Sequence, residues 1–275
     1  MTAETLEALA GRARSGDQVA LDAFVRRIQD DVYRLALRML PDPEDAADAT
    51  QEILVKVVTH LAGFRGESGV RTWVWRIAVN HVLSFRRSRR EPGVGFAALE
   101  ELLAAGLEAD AALGEAPGDS LLEEEVKLGC THTMLTCLDR EHRAAFVLGA
   151  IFELPGEECA QILGIEPAAF RKRLSRARER MREFMERACG LVSDAAPCRC
   201  RRQIRPSAEA GLLDPERPVY ALHPTRARDE PGLLETYGAI GAGERFLQVL
   251  RSHPDYAAPE TVREALRATL AKTPT

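Results

Sequence analysis

The feature that most constrains the fold is a short apolar segment, a glycine and a long basic segment, in that order, between residues 157 and 188. Glu157 to Leu163 predicts a short helix, and Gly164 predicts the tight turn that ends it. Pro167 predicts the first turn of a longer helix that reaches about Ala188. The apolar residues of this long helix recur at three- and four-residue spacing: Phe170, Leu174, Ala177, Met181 and Phe184. Two helices joined in this way are typical of a helix-turn-helix.

The long helix concentrates positive charge in a chain whose net charge is -5. A basic helix that enters the major groove can contact phosphates and base edges together. The residues that we predict to touch DNA from the start of this helix are Ala168, Arg171, Lys172, Arg173 and Arg176. The alternative is a solvated basic face whose cations pair with Glu157, Glu158 or Glu179.

The rest of the chain predicts further helices and no sheet. Apolar spacing predicts helices over 21–40, 43–61, 71–87, 121–137 and 140–150, and Asp42 and Pro43 mark the start of the second. Residues 92–120 contain no Lys or Arg and predict an acidic linker, and the chain after Gly190 is rich in Pro, Gly and Arg. We therefore expect an all-α protein with a helical domain over 1–90, a linker over 91–120, a helix-turn-helix domain over 121–189 and a largely irregular C-terminal extension over 190–275. Short helices are expected within that extension over 241–250 and 259–270.

The helix over 71–87 carries a second kind of nucleic-acid signal. Trp73, Trp75 and Phe85 alternate with arginines, and Asn80 offers an amide to a base edge. Aromatic rings and cations on one helix suit the unstacked bases of a single strand. The alternative is that the tryptophans belong to the core, which we expect for one of the two. No apolar run is long enough to span a membrane and no secretion signal is apparent, so a cytoplasmic protein is expected.

Three motifs together resemble the bacterial sigma factors. DAADATQEILVKV, over Asp45 to Val57, resembles their polymerase-binding helix. The segment from Phe64 to Arg90 is similar to their promoter-melting and minus-ten-reading segment, and the segment from Leu138 to Met181 to their minus-thirty-five-reading domain. Two domains joined by a short linker resemble the extracytoplasmic function (ECF) group.

The resemblance implies roles for particular residues. Asp48, Gln51, Glu52 and Val55 would bind the coiled coil of the largest polymerase subunit. Asn80 and the loop over 66–70 would hold a flipped base, and Arg76, Arg86 and Arg87 would hold phosphates. Trp73 is a further predicted DNA-binding residue of this helix. The acidic linker would thread toward the RNA exit path, or would only be a spacer.

A chain of this family is not an enzyme, and it initiates transcription with core RNA polymerase and promoter DNA as partners. An anti-sigma factor is a further candidate partner. Glu166-Pro-Ala-Ala-Phe replaces the entry to the recognition helix that many relatives have, which leaves the promoter sequence open. The alternative function is a helix-turn-helix regulator that binds duplex DNA alone.

Six cysteines do not form a disulfide framework in so long a chain. If the C-terminal extension folds back, it brings together the candidate zinc ligands Cys130, Cys137, Cys189, Cys198 and Cys200. Neighbouring arginines are expected to lower the pKa values of Cys198 and Cys200 and to favour their thiolates. One hypothesis is that the extension senses metal or oxidant and gates promoter binding. The alternative is a set of buried structural thiols with no such role, and no other cofactor is predicted.

Overall fold

The computed structural model describes residues 4–40, 42–85, 95–111, 120–221 and 242–270. The α-helices of these residues are α1 (Leu6–Arg14), α2 (Gln18–Met39), α3 (Pro43–His60), α4 (Val70–Ser84), α5 (Phe96–Ala111), α6 (Ser120–Thr136), α7 (Arg140–Phe146), α8 (Gly156–Leu163), α9 (Pro167–Ala188), α10 (Ile204–Glu209), α11 (Ala242–Arg251) and α12 (Glu260–Leu270). The described ranges contain no β-strand, and an isolated backbone bridge joins Cys189 to Cys198. The predicted all-α fold is confirmed.

The chain groups into two compact units. The first comprises Met1–Arg90, Leu154–Arg171 and Tyr256–Thr275, and the second comprises Glu91–Glu153 and Lys172–Asp255. Helix α9 contributes residues to both. The domain boundaries that the sequence suggests, at residues 90, 120 and 189, remain a prediction.

The first unit is built around α2, α3 and α4. Asp42 caps α3 by accepting a hydrogen bond from the Glu44 amide at 2.8 Å, and Pro43 occupies the first turn, as the sequence predicts. The apolar faces of these helices form the core, whose fully buried members include Phe24, Leu35, Ile53, Leu54 and Val79. This packing fixes which faces of α3 and α4 remain at the surface.

Two helices from distant parts of the chain complete the first unit. Helix α8 packs on α4, where the Thr72 hydroxyl donates a hydrogen bond to Glu158 Oε1 at 3.1 Å. Helix α12 packs on α3. The segment that precedes α12 is joined to α2, because the Ala258 amide donates to Asp30 Oδ1 at 3.0 Å.

In the second unit, residues 200–209 of the C-terminal extension pack against α5 and α6. Glu125 is buried on α6, and its carboxylate accepts hydrogen bonds from the backbone amides of Val219, Tyr220 and Ala221. The Gln203 amide donates to the Leu103 carbonyl of α5 at 2.8 Å. Residues 203 and 219–221 of the extension are therefore tied to α5 and α6. The short helices expected near 241–250 and 259–270 are present as α11 and α12.

Candidate polymerase and nucleic-acid interfaces

The predicted single-strand readers share one face of α4. Arg76 and Asn80 are exposed, and Trp73 is half-buried. Their spacing of three and four residues places all three on one side of the helix. The Trp73 ring lies against the Phe64 ring, with 5.3 Å between the centroids. The face therefore combines an aromatic surface, an amide and a guanidinium.

The second tryptophan belongs to the core. Trp75 is 3% exposed, and the Arg71 guanidinium carbon lies 5.9 Å from the centre of its ring. The expectation that one of the two tryptophans is a core residue is thus confirmed, and Trp73 is the one left at the surface. Arg86 and Arg87, the predicted phosphate ligands, lie outside the described residues.

The predicted polymerase-binding residues form a stripe along α3. Asp48, Gln51, Glu52 and Val55 recur at three- and four-residue spacing, so they share one side of the helix. Asp48 and Glu52 are exposed, whereas Gln51 and Val55 are half-buried. A stripe that ends in the apolar Val55 beside two carboxylates suits a partner helix that carries cations next to an apolar side chain.

A polar network that the sequence analysis did not find links α3 to α4. The Lys56 ammonium donates to His81 Nδ1 at 2.7 Å, and His81 Nε2 lies 3.6 Å from Glu52 Oε2. Burial lowers the pKa of His81 and the nearby Lys56 charge lowers it further, while Glu52 acts in the opposite direction. The neutral ring is the form that can accept from Lys56. No local motif connects residues 25 positions apart, so only the packing of the helices reveals this pair.

The helix-turn-helix is formed as predicted. Gly164 has φ 63° and ψ 36°, the left-handed conformation that glycine adopts most easily at the end of a helix. The Ile165 amide donates to the Ala160 carbonyl at 3.1 Å and closes the turn. Four of the five residues of the predicted apolar stripe are buried, namely Phe170, Ala177, Met181 and Phe184. Leu174, the fifth, is half-buried.

The cations of α9 divide into two groups along the helix. Ala168, Arg171, Lys172 and Arg176 are exposed, and no carboxylate of the described residues forms an ion pair with these three cations. Arg173 is an exception among the predicted DNA-binding residues, because its guanidinium pairs with Glu141 at 2.9 Å. The ion pairs of the C-terminal half are Arg180 with Asp139, Arg182 with Glu186 and Arg187 with Glu100. Available positive charge is thus concentrated at the start of α9.

The cysteines differ from the sequence prediction in their acidity. Burial raises the pKa of Cys198 to about 11, although Arg199 and Arg202 act to lower it. Burial also raises the pKa of Cys200, and the prediction of arginine-stabilised thiolates at these two positions is therefore wrong. The Arg199 guanidinium is instead hydrogen-bonded to the carbonyls of Ala196 and Cys198.

The predicted metal ligands do not form a recognisable site in the part of the chain that the structure describes. All six cysteines are free, and no group of three or more His, Cys, Asp or Glu side chains is placed to hold a metal ion. Burial raises the pKa values of Cys130, Cys137 and Cys189 as well. Zinc binding by Cys130, Cys137, Cys189, Cys198 and Cys200, and gating by metal or oxidant, remain predictions. Of the described helices, none is both long and apolar enough to cross a membrane.

Comparison with known proteins identifies the family. The chain matches Sigma-70 region 2 over residues 24–91 and Sigma-70 region 4 over residues 128–181. The RNA polymerase sigma-H factor of Pseudomonas aeruginosa is 31% identical over 185 residues, which are 65% of this chain and 93% of the relative. The ECF RNA polymerase sigma-E factor of Escherichia coli is 34% identical over 179 residues, which are 64% of this chain and 91% of the relative.

A solved structure of CnrH in complex with the cytosolic domain of CnrY is 25% identical and superposes with a TM-score of 0.47 over 65% of this chain and 95% of that one. Helices α3 and α4 lie within the first matched region, and α9 lies within the second as far as residue 181. The chain belongs to the ECF group of RNA polymerase sigma factors.

Proposed function

We propose that this chain binds core RNA polymerase through α3 and directs it to promoters that α4 and α9 read. The observation that carries the proposal is the exposed face of α4, on which Trp73, Arg76 and Asn80 lie together. A helix that presents an aromatic ring, an amide and a cation at the surface suits an unstacked strand better than a duplex. Sigma factors are specificity subunits, and theirs is not a family of catalytic enzymes.

On α4, each side chain has a distinct task. Trp73, held against Phe64, offers a stacking surface to a base. The Asn80 amide can donate to and accept from the edge of a base that has left the duplex. Arg76 lies between them along the helix and binds phosphate.

On α9, the exposed cations bind the minus-thirty-five duplex. Arg171, Lys172 and Arg176 have no ion pair with a described carboxylate, so no intramolecular pair has to be broken before they meet phosphates. Ala168 is small and exposed at the first turn, which permits close approach to base edges. Arg173 has to exchange Glu141 for DNA, so it contributes less than its three neighbours.

On α3, the stripe of Asp48, Gln51, Glu52 and Val55 binds the coiled coil of the largest polymerase subunit. Helix α4 packs on α3 and is joined to it by the Lys56–His81 bond, so polymerase bound at α3 determines where Asn80 is presented. A separate protein that covered this stripe would act as an anti-sigma factor.

Since core polymerase works on chromosomal DNA, the proposal implies that the chain acts in the cytoplasm. The linker helix α5 carries Glu100, Glu101 and Glu108, in keeping with a segment that enters the positively lined RNA path of the polymerase.

Run-off transcription with bacterial core polymerase on a promoter library tests the proposal. We expect start sites that depend on this chain and share two spaced sequence elements. Asn80→Ala should reduce opening of the minus-ten element without weakening polymerase binding. Arg176→Ala should weaken duplex binding and reduce the dependence of log affinity on log salt by roughly one unit.

Arg180→Ala is the matched control for Arg176→Ala, because Arg180 already lies 3.8 Å from Asp139. The proposal is refuted if no promoter responds to the chain with core polymerase present. Tight, sequence-specific binding of the isolated chain to duplex DNA would then favour the independent helix-turn-helix regulator.

A further inference from the structure

The C-terminal helix α12 is docked on the helix to which we assign polymerase binding. Its inward residues Val262 and Leu266 are each 3% exposed, and the preceding Tyr256 is 2% exposed. The Ala258 amide binds Asp30 at the start of the docked segment, and the Arg267 guanidinium lies 3.4 Å from Asp22 near its end. The segment 256–267 is therefore held at both ends by α2 while α12 packs along α3.

The position of the stripe on α3 matters for this contact. Lys56 marks the side of α3 that faces α4, because its ammonium bonds to His81. At 100° per residue, Gln51, Val55 and Val58 project to the flank away from Lys56. All three residues on that flank are half-buried. Asp48, Glu52 and Thr59 lie between the Lys56 side and this flank, and they are exposed. Helices α2 and α12 are the elements packed against the remaining sides of α3.

We propose that α12 is a built-in inhibitor of polymerase binding, which covers the Gln51 and Val55 flank of α3 until it is displaced. This inference rests on the proposed role of α3. Two packed helices lie about 8–10 Å apart, and each is about 10–12 Å wide with its side chains. A polymerase helix that sits on Gln51 and Val55 therefore needs the volume that α12 fills.

The docked helix α12 is short and can be displaced. It has 11 residues, and an isolated helix of that length is marginal in water. Its inward aliphatic side chains include Val262 and Leu266, and its ion pair with Asp22 is solvent-exposed and of small net effect. A competing helix that offers a larger apolar contact to α3 can thus take its place. The sigma factor and its inhibitor would then be parts of one chain.

Two full-length double variants distinguish the inhibitor from a purely structural helix. Val262→Asp with Leu266→Asp places charges on the buried face of α12, and Thr261→Asp with Ala268→Asp places the same charges on its exposed face. Each is titrated against core polymerase, with fluorescence anisotropy of a dye on the N-terminus as the readout. We expect the buried-face variant to bind at least about tenfold tighter than the unmodified chain, because the competent state no longer competes with the docked one. The exposed-face variant should bind like the unmodified chain.

Hydrogen exchange on the unmodified chain gives a measurement that needs no variant. Amides of α12 should exchange faster when core polymerase is added, while those of α2 should not. Equal affinity of all three chains, or α12 amides that stay protected in the complex, would overturn the inhibitor and leave the polymerase-binding proposal intact. If none of the chains binds core polymerase, the proposed function itself fails.

Discussion

Replacement of Glu125 by Gln should release residues 219–221 of the C-terminal extension from α6. Glu125 Oε1 accepts from the amides of Val219 and Tyr220 at 2.7 and 3.1 Å, and Oε2 accepts from those of Tyr220 and Ala221 at 2.9 and 2.6 Å. A glutamine keeps the shape but turns one of the two oxygens into an NH₂ group. Either Val219 or Ala221 then faces a donor in place of an acceptor.

The size of the effect follows from those contacts. A hydrogen bond to a charged group contributes about 1.5–3 kcal/mol, and a buried donor without an acceptor costs about 1–3 kcal/mol. These contributions overlap, since the segment can detach and bring its amides into water. We therefore expect a loss of about 3 kcal/mol in the free energy that holds residues 219–221 closed, which corresponds to about a hundredfold in the local opening constant.

Hydrogen exchange with mass spectrometry measures this directly. Peptides that cover 213–221 should exchange about a hundredfold faster in Glu125→Gln than in the unmodified chain, while peptides from α2 and α3 stay unchanged. Glu123→Gln, two residues earlier on the same helix and half-buried, is the matched control and should have no such effect. Unchanged protection at 219–221 would refute the reasoning. A uniform loss of protection over the whole chain would refute it too, because that result would mean global destabilisation.

Three further predictions concern single sites. The lowered pKa of His81 means that its neutral form favours the folded state, so this stabilisation is complete above about pH 6.5 and is lost as the pH falls. In His81→Phe, the free energy of unfolding in urea should therefore change less between pH 7 and pH 5 than in the unmodified chain. An equal change in both chains would contradict this prediction. The Cys198 thiol, with a pKa of about 11, should react with iodoacetamide at pH 8 roughly a hundredfold more slowly than free cysteine. Its contribution to stability should be lost as the pH rises above about 8.5. Rapid alkylation of Cys198 in the folded chain would contradict its burial. Gly164→Ala places a side chain in the left-handed region and should lower the free energy of thermal unfolding by about 1–2 kcal/mol. Gly63→Ala, at ordinary φ with open space around it, should lower it much less. Equal losses would show that the left-handed conformation of Gly164 does not cause the effect.

The helices were predictable where their signals are local. Asp42 and Pro43 start α3 through a cap and a ring that act within one turn, and Gly164 ends α8 by its own backbone conformation. The exposed face of α4 was only half predictable, because the sequence places Trp73 and Trp75 on different sides of a helix but does not say which side meets the core. Ala78 and Val82 are buried on the same side as Trp75, and that side meets the core.

The errors and omissions come from contacts between distant segments. Arginine neighbours were expected to acidify Cys198, but folding of the extension buries the thiol, and desolvation outweighs the arginine charges. The Lys56–His81 bond and the α12–α3 contact join residues that no short motif relates. Such contacts depend on how helices pack, and apolar periodicity gives the inward face of a helix without naming its partner.

These distant contacts connect helices whose motifs are separate in the sequence. Helices α3 and α4 pack together and are joined by the Lys56–His81 bond, so under the proposed roles a partner that binds α3 would also position Asn80 on α4. Helix α12 uses the same α3 for its docking, and it comes from the end of a chain whose earlier extension is tied to α6 through Glu125. Both contacts are made by α3. A polymerase helix that displaced α12 from α3 would therefore remove the inhibitor and position α4 relative to the polymerase in the same step.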